Sequence, residues 1–176
     1  MKVILVGSFP TSVSVYHKLL QLGFLQAVCF QQLKYEDPVT QYWKNGIQSS
    51  GLSNFEITKE NIDSDFKHYL QHQSPDLVLV CGFGLKIPIE ILSIPKYGFL
   101  NIHFGKLPQN RGAAPVFWSL KNGDEQAYIT IHKIADDWDT GAILLEQQLP
   151  IIPGETYGMV YTKLSLQLGN LIPTII

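Results

Sequence analysis

The sequence predicts an α/β fold, a doubly wound, mainly parallel sheet with helices on both faces, of the Rossmann-like kind. Three observations predict it. Short continuous apolar runs at 3–6 and 77–81 end in glycine turns, at Gly7 and at Gly82-Phe83-Gly84, as strands covered on both faces do. Segments with apolar residues at helical spacing lie between such runs, so strands alternate with helices. The chain has 176 residues, enough for one sizeable core, and residues 1–176 read as a single domain.

Residues 3–6 form the first strand. Thr11 or Ser12 then caps a helix carrying Val15, Leu19 and Leu22 on one face and ended by Gly23. Residues 24–30 read as the second strand. From 31 to 54 the periodicity dissolves around Pro38, Gly46 and Gly51, which predicts a long loop or irregular insertion. Residues 55–58 give a short strand. Asn61 or Asp63 opens a helix with Phe66, Tyr69 and Leu70 turned inward, running to about Gln73. Residues 77–81 form the clearest buried strand and 98–103 the next. Residues 114–120 read as a helix stopped by Asn122-Gly123, 127–134 and 143–149 as strands, and 156–172 as the closing helix. Phe117 and Trp118 read as core residues of their helix.

Charge and composition narrow the function. Thirteen Lys and Arg against fifteen Asp and Glu leave no basic field for a nucleic-acid backbone, which would enter only through a partner or a further domain. Cys29 and Cys81 sit far apart in apolar runs and read as buried free thiols. The N-terminal apolar run is shorter than a signal-peptide core, and no stretch approaches the roughly 20 apolar residues of a membrane span, so the expected setting is cytoplasmic.

The chemistry gathers at strand ends, where open α/β sheets bind ligands. Asn101 and His103 are two apart, so their side chains share one side of a strand, with Leu100 and Ile102 facing the other. Asp139 lies in a tight Asp-Thr-Gly connection between two strands. Other patterns are weaker. Gly82-Phe83-Gly84 lacks the third glycine of a dinucleotide fingerprint. His68 and His72 have a zinc-compatible spacing, but Tyr69 stands where a metalloprotease needs Glu, so they read as a solvated helix face. His132 reads as a strand residue facing a neighbouring strand.

Asn101-Ile102-His103, Leu107-Pro108, Arg111-Gly112-Ala113-Ala114-Pro115, Thr130-Ile131 and Asp139-Thr140-Gly141 together resemble the 10-formyltetrahydrofolate-dependent formyltransferases in order and separation. The likeness is specific over residues 77 to 160. It implies that Asn101, His103 and Asp139 form a catalytic set moving a formyl group from 10-formyltetrahydrofolate, as co-substrate and without a metal, to a primary amine. The acceptors it allows are methionyl-tRNA, an amino sugar, a carrier-bound aminoacyl group or glycinamide ribonucleotide. In that reading the Asn101 amide and a protonated His103 stabilise the oxyanion, and Asp139 favours the imidazolium and takes up the amine proton.

The resemblance also implies a pterin pocket formed by Phe83, Gly84, Leu85, Lys86 and Ile87, with the backbone of Ala135, Asp136 and Asp137 as the other wall. Family members often continue beyond the closing helix into an acceptor-selecting domain, so the chain is compatible with truncation at its C-terminus. Gly105 stands where the family commonly has Ser, and Gly105→Ser is expected to be tolerated. Two alternatives share the site: a formylfolate hydrolase, or a folate-binding module with impaired catalysis.

Overall fold

The computed structural model describes all 176 residues. The strands are β1 (Val3–Gly7), β2 (Leu25–Gln31), β3 (Ser53–Ile57), β4 (Leu77–Cys81), β5 (Phe99–His103), β6 (Gln126–Lys133) and β7 (Ile143–Pro150). The helices are α1 (Val13–Gln21), α2 (Pro38–Ser49), α3 (Asp65–Gln73), α4 (Ile89–Leu92), α5 (Pro115–Asn122) and α6 (Tyr157–Leu171). All seven strands join one sheet in the order β3-β2-β1-β4-β5-β6-β7. The first five of that order run parallel, β6 runs against them and β7 is antiparallel to β6 in turn, giving the mainly parallel doubly wound sheet that alternation predicted.

The β-branched and leucine-rich central strands are buried on both faces, and the core divides accordingly. On one face Val3, Leu5, Leu79 and Ile102 pack against Val15 and Leu19 of α1, Val116 of α5 and Val160 and Leu164 of α6. On the other, Ile4, Val6, Val78 and Val80 pack against Phe66 and Leu70 of α3 and Ile91 of α4. Each such fully buried aliphatic side chain is worth about 1.5–3 kcal/mol before the entropy of ordering it is set against the gain. The chain reverses its winding between β1 and β4, and a crevice opens at their carboxyl ends.

Two sequence expectations are corrected. The stretch expected as a long loop contains α2. Asp37 caps it, accepting from the Val39 and Thr40 amides at 2.9 and 3.0 Å, and Pro38 occupies the first helical position. Its periodicity was hidden because two of its buried residues, Thr40 and Lys44, are polar. Lys44 is held by Glu36 at 2.7 Å and Glu56 at 2.6 Å. Phe117 and Trp118, expected in the core, are about half exposed, while Val116 and Ser119 face inward. No helix is long and apolar enough to cross a membrane.

Candidate active site

Asn101 and His103 reach the carboxyl end of β5 on one side of the strand, as their spacing requires. Antiparallel pairing with β6 sets Asn101 opposite His132 and His103 opposite Thr130, so a second histidine enters the same group. The loop after β6 returns Asp139 to these residues. Asp139 has a left-handed φ of 52°, and two consecutive residues hold it there: Arg111 Nε donates to its carbonyl at 3.1 Å, and the Gly112 amide donates to Oδ2 at 3.0 Å. Gly141 allows the loop to close, because a Cβ there would overlap the Lys133 carbonyl.

The structure thus brings together the three residues singled out from sequence. Asp139 Oδ2 lies 3.7 Å from His103 Nδ1, and Oδ1 lies 3.3 Å from Asn101 Nδ2 and 3.4 Å from His132 Nε2. Burial pushes the Asp139 carboxyl up, but the His132 imidazole, the Gly112 amide and the field of His103 outweigh it and hold it below the usual carboxylate range. His103 does not move as a simple ion-pair partner would. Burial lowers it by more than the Asp139 charge and the Asn110 carbonyl raise it, so its net shift is downward.

The net downward shift of His103 works against the protonated imidazole expected from the sequence. Its Nε2 lies 2.7 Å from the Asn110 carbonyl, which accepts only a proton-bearing nitrogen, so in the neutral ring Nδ1 is bare beside Asp139.

Two concavities meet at Asn101. One is a narrow apolar slot of about 50 Å³, with Val80, Phe83, Leu85, Lys86, Ile87 and Ile134 on its lining, and Ala135, Asp136 and Asp137 closing the other side. The backbone amides of Leu85, Lys86, Ala135 and Asp136 have no partner within the protein. Lys86 and Asp136 pair at 3.4 Å, both well exposed. The other is a cleft of about 850 Å³ that includes Thr11, Leu33, Phe104, Trp138, Tyr157 and Tyr161. Of the eight residues expected around a pterin, seven line the slot. Gly84 belongs to the cleft, where its amide donates to Gln31 Oε1 at 2.7 Å.

Sequence reasoning passed over His132 as a site residue, because only the β5–β6 register reveals its neighbours. His68 and His72 are exposed on α3, as expected. No group of three His, Cys, Asp or Glu side chains is arranged to hold a metal ion.

The family pattern described as Formyl transferase matches residues 15–176. Among curated relatives, the methionyl-tRNA formyltransferase of Ehrlichia chaffeensis is 40% identical over 110 residues, covering 60% of this chain and 36% of that protein. That of Agathobacter rectalis is 31% identical over 172 residues, covering 95% of this chain and 55% of the relative. The chain thus spans from about a third to about half the length of these relatives. In fold it matches phosphoribosylglycinamide formyltransferase from Streptococcus pneumoniae with a TM-score of 0.80 at 17% identity, over 99% of this chain and 98% of that one. A sugar N-formyltransferase from Shewanella matches with a TM-score of 0.76 at 20% identity, over 99% and 67%.

Proposed function

The chain belongs to the formyl transferase family, and on that premise we propose that it transfers a formyl group from 10-formyltetrahydrofolate to a primary amine through Asn101, His103 and Asp139. The observation carrying this reading is the His103–Asp139 pair, an anion beside a bare imidazole nitrogen, set where an apolar slot meets an open cleft.

Formyl transfer forms a bond from the amine nitrogen to the formyl carbon and breaks the bond from that carbon to the carrier nitrogen. One proton leaves the incoming nitrogen and one reaches the departing nitrogen. His103 Nδ1, 3.7 Å from Asp139, is the place in this site where such a proton is held, as an imidazolium–carboxylate pair. A positioned base of this kind contributes about 10²–10⁴ in rate. Asn101 borders both slot and cleft, on the path from donor to acceptor.

The slot suits the donor's pterin. Phe83, Leu85 and Ile87 cover a flat ring, and the unpartnered amides of Leu85, Lys86, Ala135 and Asp136, with Asp137 beside them, meet its polar edge. A space of about 50 Å³ holds only a few waters, so donor binding parts the two walls. That opening breaks the exposed Lys86–Asp136 pair, which costs little. Gly84 joins this reading through the cleft side of the same turn.

The cleft lining contains no Lys or Arg; its only ionisable carboxylate and imidazole are those of Asp139 and His103. This favours an acceptor whose amine sits beside an uncharged, apolar group over one bringing a phosphate into the cleft. An aminoacyl group fits, methionyl-tRNA first given the relatives, with a carrier-bound aminoacyl group or an amino sugar next. The cytoplasmic setting expected from the sequence goes with this reading.

The test is turnover of 10-formyltetrahydrofolate by the chain with each acceptor and with none. Amine-dependent loss of donor supports the proposal. Formate release without amine would assign a hydrolase, and folate binding without any turnover a module lacking catalysis.

A further inference from the structure

Resting on the formyl-transfer reading above, we propose that His132 is a positioning residue: it fixes which edge of the Asn101 carboxamide faces the reacting groups. His132 is buried at 1% exposure on β6, directly across from Asn101. Its Nδ1 lies 2.8 Å from the Lys133 carbonyl, which can only accept, so Nδ1 carries the proton and Nε2 of the neutral ring is a bare acceptor.

In that neutral ring the bare Nε2 and the Asp139 Oδ1 are both acceptors, 3.4 Å apart, with no hydrogen between them. The Asn101 NH₂ group resolves this by donating to both, at 3.1 Å to Nε2 and 3.3 Å to Oδ1. Reversing the amide would set its oxygen against a carboxylate and an imidazole lone pair at once. The orientation therefore follows from the surrounding chemistry rather than from the amide itself.

Seen from Nδ2 the two acceptors lie close together on one side, so one amide hydrogen can be shared between them, and no protein donor reaches Oδ1. In this arrangement Oδ1 and the second amide hydrogen are left for the groups that enter. The free hydrogen suits a developing oxyanion, and Oδ1 suits the N–H of an incoming amine. His132 also borders the slot, but its two ring nitrogens are taken by the Lys133 carbonyl and the Asn101 amide, so it acts through Asn101.

Two measurements test the proposal. The first does not depend on turnover: the imidazole ¹⁵N spectrum of the native chain near pH 7.5 should show His132 as the Nδ1–H tautomer. A proton on Nε2 in the neutral ring overturns the proposal whether or not the chain transfers formyl groups. The second compares His132→Phe, which keeps bulk and removes the acceptor, with His132→Gln, whose side-chain oxygen can take the Asn101 hydrogen. We expect His132→Phe to lower kcat at least about tenfold, with KM for the formyl donor within about twofold, and His132→Gln to recover most of the loss. Native kcat in His132→Phe, or equal losses in both variants with weakened donor binding, would show that His132 merely fills space. A native chain that shows the predicted tautomer but transfers no formyl group to any acceptor would overturn the transfer reading, and with it the positioning role.

Discussion

His103 Nδ1 lies 3.7 Å from Asp139 Oδ2, while the Nε2 of the same ring is 2.7 Å from the Asn110 carbonyl. One nitrogen is thus committed to the backbone and the other faces an anion. Burial keeps the proton-binding strength of this ring below its ordinary value of about 6.5. The folded chain then binds that proton less readily than the unfolded chain. His103 contributes stability above about pH 6.5 that is lost as pH falls toward its folded-state value. His103→Gln should therefore reduce the difference in Tm between pH 7.5 and pH 5. Identical pH dependence in both proteins would contradict the neutral imidazole.

Asp139 acts in the proposed transfer through charge, whereas its hold on the loop needs only acceptor oxygen. Asp139→Asn keeps an oxygen for the Gly112 amide, now at 3.0 Å, but removes the anion beside His103. Turnover should fall at least about 10²-fold, with affinity for a non-reactive 5-formyl folate analogue within about threefold. A variant of near-native rate would take Asp139 out of the chemistry.

Leu85 belongs to the apolar wall of the slot, and a carboxylate at this position would have to be desolvated by an entering ring. Leu85→Asp should weaken binding of the same analogue at least about a hundredfold in calorimetric titration, on the order of 3 kcal/mol. Equal affinities in a folded variant would place the donor elsewhere.

The α2 cap can be tested apart from function. The Asp37 carboxylate accepts from the Val39 and Thr40 amides and from the Thr40 hydroxyl at 2.6 Å, which lowers its pKa. Asp37→Ala should lower the denaturant midpoint of unfolding and leave turnover unchanged. No loss of stability would mean that α2 is held by packing of Ile47 and the Lys44 ion pairs alone.

What could be read from sequence follows a physical pattern. The strands at 3–6 and 77–81 were legible because burial on both faces demands unbroken apolar runs. Asn101 and His103 were legible as a pair because a strand has period two. The helix α2 was not, since Thr40 and Lys44 on its buried positions break the apolar stripe and their partners Glu36 and Glu56 lie outside it. His132 was visible only as a strand residue, because its place beside Asn101 depends on the β5–β6 register. The proton arrangement of His103 was hidden for a further reason: the partner that fixes it, the Asn110 carbonyl, belongs to the backbone and leaves no trace in residue identity.

Gly105 shows where reasoning from a family pattern and reasoning from space part company. A serine there was expected to be tolerated, on the ground that it would restore a hydroxyl. In the folded chain a Cβ at this position would lie 2.6 Å from the Pro115 Cβ, 2.9 Å from the Asn110 Cβ and 2.9 Å from His103 Nε2. Two of these neighbours are the partners of the hydrogen bond that fixes the His103 proton, so relief of the crowding comes at the expense of that bond. The Gly105 carbonyl is also anchored, accepting from the Thr130 hydroxyl at 2.7 Å, which limits how far the backbone can retreat. We therefore expect Gly105→Ser to lose about 1–3 kcal/mol in stability and to lower turnover. Gly105→Ala should lose a similar amount, because the clash begins at Cβ and not at the hydroxyl. Thermal melts and turnover of the two variants side by side decide the matter: a serine variant as stable and active as the native chain would return the hydroxyl to the site, while parallel losses would show that this chain has closed its loop onto His103 in a way that requires glycine.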